Sequence, residues 1–144
     1  MNLADAISIS LVATYIIPLI LTCYNPKLFV LFVAVIFVWL SVEAIKPFIH
    51  SPRPPHAIRC DRWCREGPVG GNPGFPSGHM ASVAVLVGLL YIHFPSVSLL
   101  VAGLAWLSAM AWSRYVKHCH TPIQIAGGTV YGLLCAVIIH SFPL

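Results

Sequence analysis

The sequence predicts an all-α integral membrane bundle with five transmembrane helices, and three observations carry that expectation. Hydrophobic residues make up 58% of the 144 and charged residues 8%, against roughly 25% charged in a soluble domain. Mean hydropathy is +0.86. Five apolar stretches of near-spanning length divide the chain. Eight Lys+Arg and four Asp+Glu are too few charges to cover a water-soluble fold of this size. The composition excludes a disordered chain, a collagen-like repeat and a secreted disulfide scaffold. A single membrane-embedded domain over residues 1–144 follows.

A membrane helix needs about 20 mainly apolar residues to cross about 30 Å of hydrocarbon. Ala6 to Cys23 is the first such stretch, interrupted by Pro18, which a bundle tolerates when neighbours satisfy the freed carbonyl. Leu28 to Ile45 is the second and most hydrophobic. The third runs from Ser77 to Phe94, the fourth from Val97 to Trp112, and the fifth from Pro122 to Phe142. Tyr24 to Lys27 and Pro95–Ser96 are short enough only for tight antiparallel connections. The amino terminus, MNLADAIS, has no basic region and no small-residue cleavage site, so the first stretch reads as a retained span.

Lys46 to Pro76 breaks the pattern: a 31-residue, proline-rich loop holding five of the eight basic residues. Loops of that length are usually functional or disordered, and its Pro/Trp content beside a membrane favours an ordered active-site loop. With five spans, this loop and the Ser113 to Thr121 connection share one membrane face. Lys46, Arg53, Arg59, Arg62, Arg65, Arg114 and Lys117 lie on that face and Lys27 alone on the other, so the positive-inside rule puts the loop face in the cytoplasm. Cations that exist to bind an anion bias such a count.

Three clusters of chemistry occupy this face: Lys46-x6-Arg53-Pro54, Pro76-Ser77-Gly78-His79 and Ser113-Arg114-x5-His120. Each part suits a phosphate group. Ser77 is a good N-cap, and Gly78 lets an anion approach the free N–H groups of a helical first turn, where the dipole adds about half a positive charge. Arg53 and Arg114 offer paired N–H donors and Lys46 a point charge. Two histidines then divide the work of attacking phosphorus and protonating the leaving oxygen.

In their order and at these span ends, the clusters resemble the three signature motifs of the type 2 phosphatidic acid phosphatase superfamily. The resemblance runs from Lys46 to about Gly132 and includes Ile125-Ala126-Gly127-Gly128, similar to the start of the family's last helix. It implies that His120 is the nucleophile of a phosphohistidine intermediate and His79 the general acid. It also implies that Lys46, Arg53, Ser77, Gly78 and Arg114 hold the phosphoryl oxygens without a metal or other cofactor. The expected activity is hydrolysis of a lipid phosphate monoester or lipid pyrophosphate, phosphatidate-like, by a short five-span version of a usually six-span family.

One position departs from the pattern. Where the family places Asp four residues after the nucleophile stands Gln124, and no acidic residue follows Glu66. A Gln carbonyl can orient an imidazole but brings no charge; in the serine-protease template the analogous amide replacement costs about 10⁴ in rate, about 5.4 kcal/mol. Gln124 also fits a capping box in Thr121-Pro122-Ile123-Gln124, and it is expected to serve only one of the two roles at a time. The alternative function is therefore a catalytically weak or inactive relative that binds anionic headgroups or serves as a structural membrane protein. A soluble sugar phosphate is a third, weaker reading, from a short likeness of Cys64 to Pro68 to glucose-6-phosphatase-like relatives.

Other features have bland readings. Arg59, Arg62, Arg65 and Lys117 lie outside the motifs and are expected to form a solvated basic face toward anionic membrane lipids. That leaves no case for nucleic acid. Cys60-x3-Cys64 with His118-Cys119-His120 weakly matches zinc-ligand spacing, and a Cys60–Cys64 disulfide is open if the loop meets an oxidising compartment. Gly128-x3-Gly132 reads as helix packing within the chain first and dimerisation second. Glu43 reads as an intramembrane partner or an interfacial residue. Trp39, Trp63, Trp106 and Trp112 suit membrane-boundary belts.

Overall fold

The computed structural model describes residues 2–142. Six α-helices build an all-helical bundle: α1 (Leu3–Ile9), α2 (Ala13–Tyr24), α3 (Phe29–Ile45), α4 (Gly78–His93), α5 (Val97–Val116) and α6 (Pro122–Ser141). A 3₁₀ turn over Ser10–Val12 joins α1 and α2 into one rod of 22 residues. Asn2 and Asp5 close its start as a capping box. Ser10 and Thr14 donate their hydroxyls back to the Ile7 and Leu11 carbonyls at 2.6 and 2.7 Å, bracketing the tightened turn. Leu3–Tyr24, Pro26–Phe48, Val97–Val116 and Pro122–Ser141 are each long and apolar enough to cross a membrane. Large apolar side chains such as Phe29, Val33, Phe37 and Leu40 are exposed along α3, as a lipid-facing stripe requires.

The helix expected as the third span is shorter than these four. α4 has 16 residues, about 24 Å at 1.5 Å per residue, and ten of them are buried. It is the central helix, and a helix apolar all round belongs inside a bundle. Its closest neighbour is α6, because α6 presents Gly128, Gly132 and Ala136, all buried, on one stripe. A Cβ at Gly132 would stand 2.3 Å from the Ala81 carbonyl oxygen, and one at Gly128 would stand 2.4 Å from that of Ser77. These glycines are therefore spent on packing within the chain, not on a dimer face.

Two expectations about the elements need correction. α5 runs past Trp112 to Val116, so Ser113 and Arg114 sit in its last turns, fully buried, and not in a connecting loop. Trp63 and Trp112 are exposed; Trp106 instead donates to Ser10 Oγ at 2.9 Å, and Trp39 lies under a loop arginine.

The long loop is ordered by its own backbone. Antiparallel bridges pair Pro52 with Pro73 and Ile58 with Pro68. Arg53 N–H donates to Asn72 O at 2.9 Å, and Val69 N–H donates to Ala57 O at 2.8 Å. At the tip the Asp61 carboxylate accepts the N–H groups of Trp63, Arg65 and Glu66 at 3.1, 2.7 and 2.8 Å. A disulfide joins Cys60 to Cys119, 59 residues away, inside a small apolar cluster with Ala57 and Val69. That pairing rules out the Cys60–Cys64 link left open by the sequence and removes both sulfurs as zinc ligands. Cys64 is free.

Candidate functional site

The three motifs converge because each sits at the same end of a crossing. Lys46 opens the 3₁₀ turn after α3, Ser77 to His79 open α4, Arg114 closes α5, and His120 and Gln124 flank the start of α6. Ser77 N–H donates to the Gln124 backbone carbonyl at 3.0 Å, which fixes the start of α4 against that of α6. Lys46, Arg53, Gly78, His79 and His120 line one cavity of about 330 Å³. Ser77, Arg114 and Gln124 stand directly behind it, none more than 1% exposed.

Several donors at this place have no partner. Arg53 Nε and NH1, Arg114 Nε and Ser77 Oγ are buried without a hydrogen bond, although nine in ten or more buried polar groups are paired. Ser77 occupies the N-cap position of α4 with extended backbone, but its hydroxyl makes no capping bond. The expected cap is thus unmade and its oxygen is left for another group. All these atoms are donors, which suits an oxyanion. Lys46 is less free: Glu43 accepts from its Nζ at 2.5 Å, and Glu43 is 47% exposed. Glu43 is therefore an interfacial counter-ion that competes with any anion for Lys46.

Arg114 is used differently from a simple phosphate fork. NH1 donates to Ser8 Oγ at 2.5 Å and NH2 to the Cys60 carbonyl at 2.7 Å. His79 Nε2 lies 3.5 Å from the same NH1 and 3.4 Å from Ser8 Oγ. The guanidinium therefore ties α1, the long loop and α4 together. Nε is its one nitrogen without any partner, and its charge remains beside His79.

The surroundings of His120 fix its tautomer. Gln124 Oε1 accepts from Thr121 N–H at 3.1 Å, and Gln124 Nε2 faces the Ser51 carbonyl, Ser51 Oγ and the Pro52 carbonyl at 3.2, 3.0 and 3.0 Å. Those neighbours leave no ambiguity between the amide oxygen and nitrogen. His120 Nδ1, 3.2 Å from Oε1, must then carry the proton and donate it. Nε2 is left with its lone pair. Burial, with the charges of Arg114 and Arg53, holds the ring well below the usual imidazole range; the Gln124 contact opposes this only in part. At pH 7 the ring is neutral.

Gln124 consequently performs both expected roles together. One carbonyl with two lone pairs closes the capping box on Thr121 and accepts from His120, and the expectation that it must choose was wrong. Its amide also anchors the segment leading to Arg53, a contact across 73 residues that local reading does not show.

Other participants were missed or misread. Ser8 was invisible as one small polar residue in an apolar stretch, yet it is fully buried against Arg114 and His79. Lys117 is not on a solvated face: it donates to Asp5 Oδ1 at 2.6 Å, with both side chains 8% exposed. Arg62 lies with its guanidinium carbon 3.9 Å from the Trp39 ring centroid and lines the cavity. Arg59 and Arg65 are exposed as expected. Among the described residues, no group of three or more His, Cys, Asp or Glu is arranged to hold a metal ion.

Residues 27–144 match the family model of the PAP2 superfamily. No curated protein and no solved structure matches the chain.

Proposed function

Because the chain belongs to the PAP2 superfamily, the type 2 phosphatidic acid phosphatases, we propose that it is a membrane phosphatase acting on a lipid phosphate monoester or lipid pyrophosphate. The single observation that carries the reading is the neutral, buried His120, with Nε2 unprotonated, on one cavity with His79 and the unpartnered nitrogens of Arg53. In this reading His120 Nε2 attacks phosphorus, the bond to the alcohol oxygen breaks, and His79 gives that oxygen its proton. Water then attacks the phosphohistidine, His79 takes up its proton, and inorganic phosphate leaves. Arg53, Arg114, Lys46, Ser77 and the first-turn N–H groups at Gly78 balance the phosphoryl charge. The reading asks for no metal, since these groups supply the positive charge.

An amphiphilic substrate is supported by the cavity wall. Leu11 of the first rod and Trp39 of α3, both from apolar segments, line it together with the cations. The Cys60–Cys119 bridge supports an oxidising compartment for this face. That outweighs the positive-inside count, because Lys46 and Lys117 are paired with acids, Arg114 is buried inside the protein, and Arg62 is half-buried over Trp39. The test is release of inorganic phosphate by the purified full chain from phosphatidate, lysophosphatidate and a polyprenyl diphosphate. Turnover of at least one is expected; release from none would overturn the enzymatic reading. The uncharged Gln124 favours a second reading, a headgroup binder, which vanadate binding without phosphate release would select.

A further inference from the structure

We propose that Arg62 is a specificity-determining residue that holds a second phosphoryl group beside the one at His120, making the preferred substrate a lipid diphosphate. This rests on the phosphate site proposed above and narrows its substrate class.

Arg62 belongs to none of the three motifs and comes from the loop tip, between Asp61 and Trp63. Its guanidinium does not point to water. Its central carbon lies over the ring of Trp39, 3.9 Å from the centroid, and over that of Tyr15 at 5.2 Å, so α2 and α3 together seat it. Stacking on an aromatic face orients the planar fork and lowers the cost of ordering it. Its NH2 is buried and has no hydrogen-bond partner. No ion pair involves Arg62 among the described residues. The Asp61 carboxylate beside it is already committed to three backbone N–H groups.

The position gives this cation its meaning. Arg62 lines the same cavity as His79, His120, Lys46 and Arg53. One phosphoryl group is already served by Arg53, Ser77 and Arg114 Nε. A further guanidinium, seated on Trp39 and Tyr15 with a donor unused, calls for a second anionic group in the same molecule. An ester carbonyl would accept from one N–H but bring no charge to the guanidinium, and the Glu43, Asp61 and Glu66 carboxylates that share the cavity make no ion pair with it. A second phosphoryl group satisfies both, and Trp39 and Leu11 then border the start of its apolar chain.

Binding is measured with inorganic phosphate, inorganic pyrophosphate and a short-chain prenyl diphosphate on the full chain in detergent, read by tryptophan fluorescence and calorimetry. In the unmodified protein, pyrophosphate should bind at least tenfold more tightly than phosphate, and prenyl diphosphate more tightly still. In Arg62→Gln the pyrophosphate-to-phosphate ratio should fall below two. Trp39→Leu, which keeps the cation but removes its seat, should lower the ratio part of the way, and it serves as the test if Arg62→Gln does not fold. An unchanged ratio, or equal weakening toward all three ligands, would overturn the proposal. Equal affinity for pyrophosphate and its prenyl ester would overturn the lipid part. Because binding is read without turnover, these results are independent of whether phosphate is released.

Discussion

Replacing His120 with alanine is expected to lower kcat/KM for phosphate release by about 10⁴ or more, equivalent to about 5.4 kcal/mol of barrier. The size follows from the proposed role: if His120 is the nucleophile, without its imidazole no covalent intermediate forms, and only charge stabilisation by the remaining cations persists. Vanadate binding should weaken far less, since Arg53, Ser77 and the start of α4 remain. Fold is not at stake to the same degree, because the ring's one side-chain partner is Gln124, which keeps its contacts to Thr121 and Ser51. The pH dependence has a defined sign. Burial and the neighbouring arginines favour the neutral ring, so protonation of the free protein's nucleophile occurs below the ordinary value of about 6.5. The acid limb of kcat/KM, which reports the free enzyme, should therefore lie below 6.5. A limb at or above that value would show that His120 is not held neutral.

The second large effect concerns Gln124, and the expected direction reverses the one that family resemblance alone gives. Restoring Asp at 124 should not raise turnover; it should lower it by about tenfold or more, with loss of stability. Asp is one methylene shorter and has no N–H. It would abandon the Pro52 carbonyl and Ser51, leaving buried acceptors unpaired at about 1–3 kcal/mol each. Those contacts hold the segment that carries Arg53. Gln124→Glu keeps the reach but turns a carboxylate oxygen toward two carbonyls, and it should also fail to improve the reaction. Steady-state kinetics and thermal unfolding of both variants check this. A tenfold gain for Gln124→Asp with an unchanged unfolding midpoint would show that the amide is only a lost charge.

Much of this architecture was legible in the sequence, for physical reasons that stop at a definite point. Hydropathy locates crossings because lipid demands continuous apolar surface, and Ser77-Gly78 and Thr121-Pro122 mark helix starts by backbone chemistry. The ends of helices that face protein were less clear. α5 continues through Arg114 because Ser8 and the Cys60 carbonyl receive a guanidinium that would otherwise force the chain out toward water. Contacts of this kind join residues 106 and 54 positions apart, and no local pattern encodes them. The same holds for Cys60 with Cys119, 59 residues apart, and for Arg62, whose seat on Trp39 exists only after the loop folds back. Gln124 was misjudged by counting roles instead of lone pairs.

The most direct measurement is an experimental structure of the full chain with vanadate bound. The expected result is vanadium within bonding distance of His120 Nε2, with Arg53 and Ser77 donating to its oxygens and His79 opposite the histidine. Vanadate bound elsewhere, or bound with His120 turned away from it, would contradict the proposed chemistry.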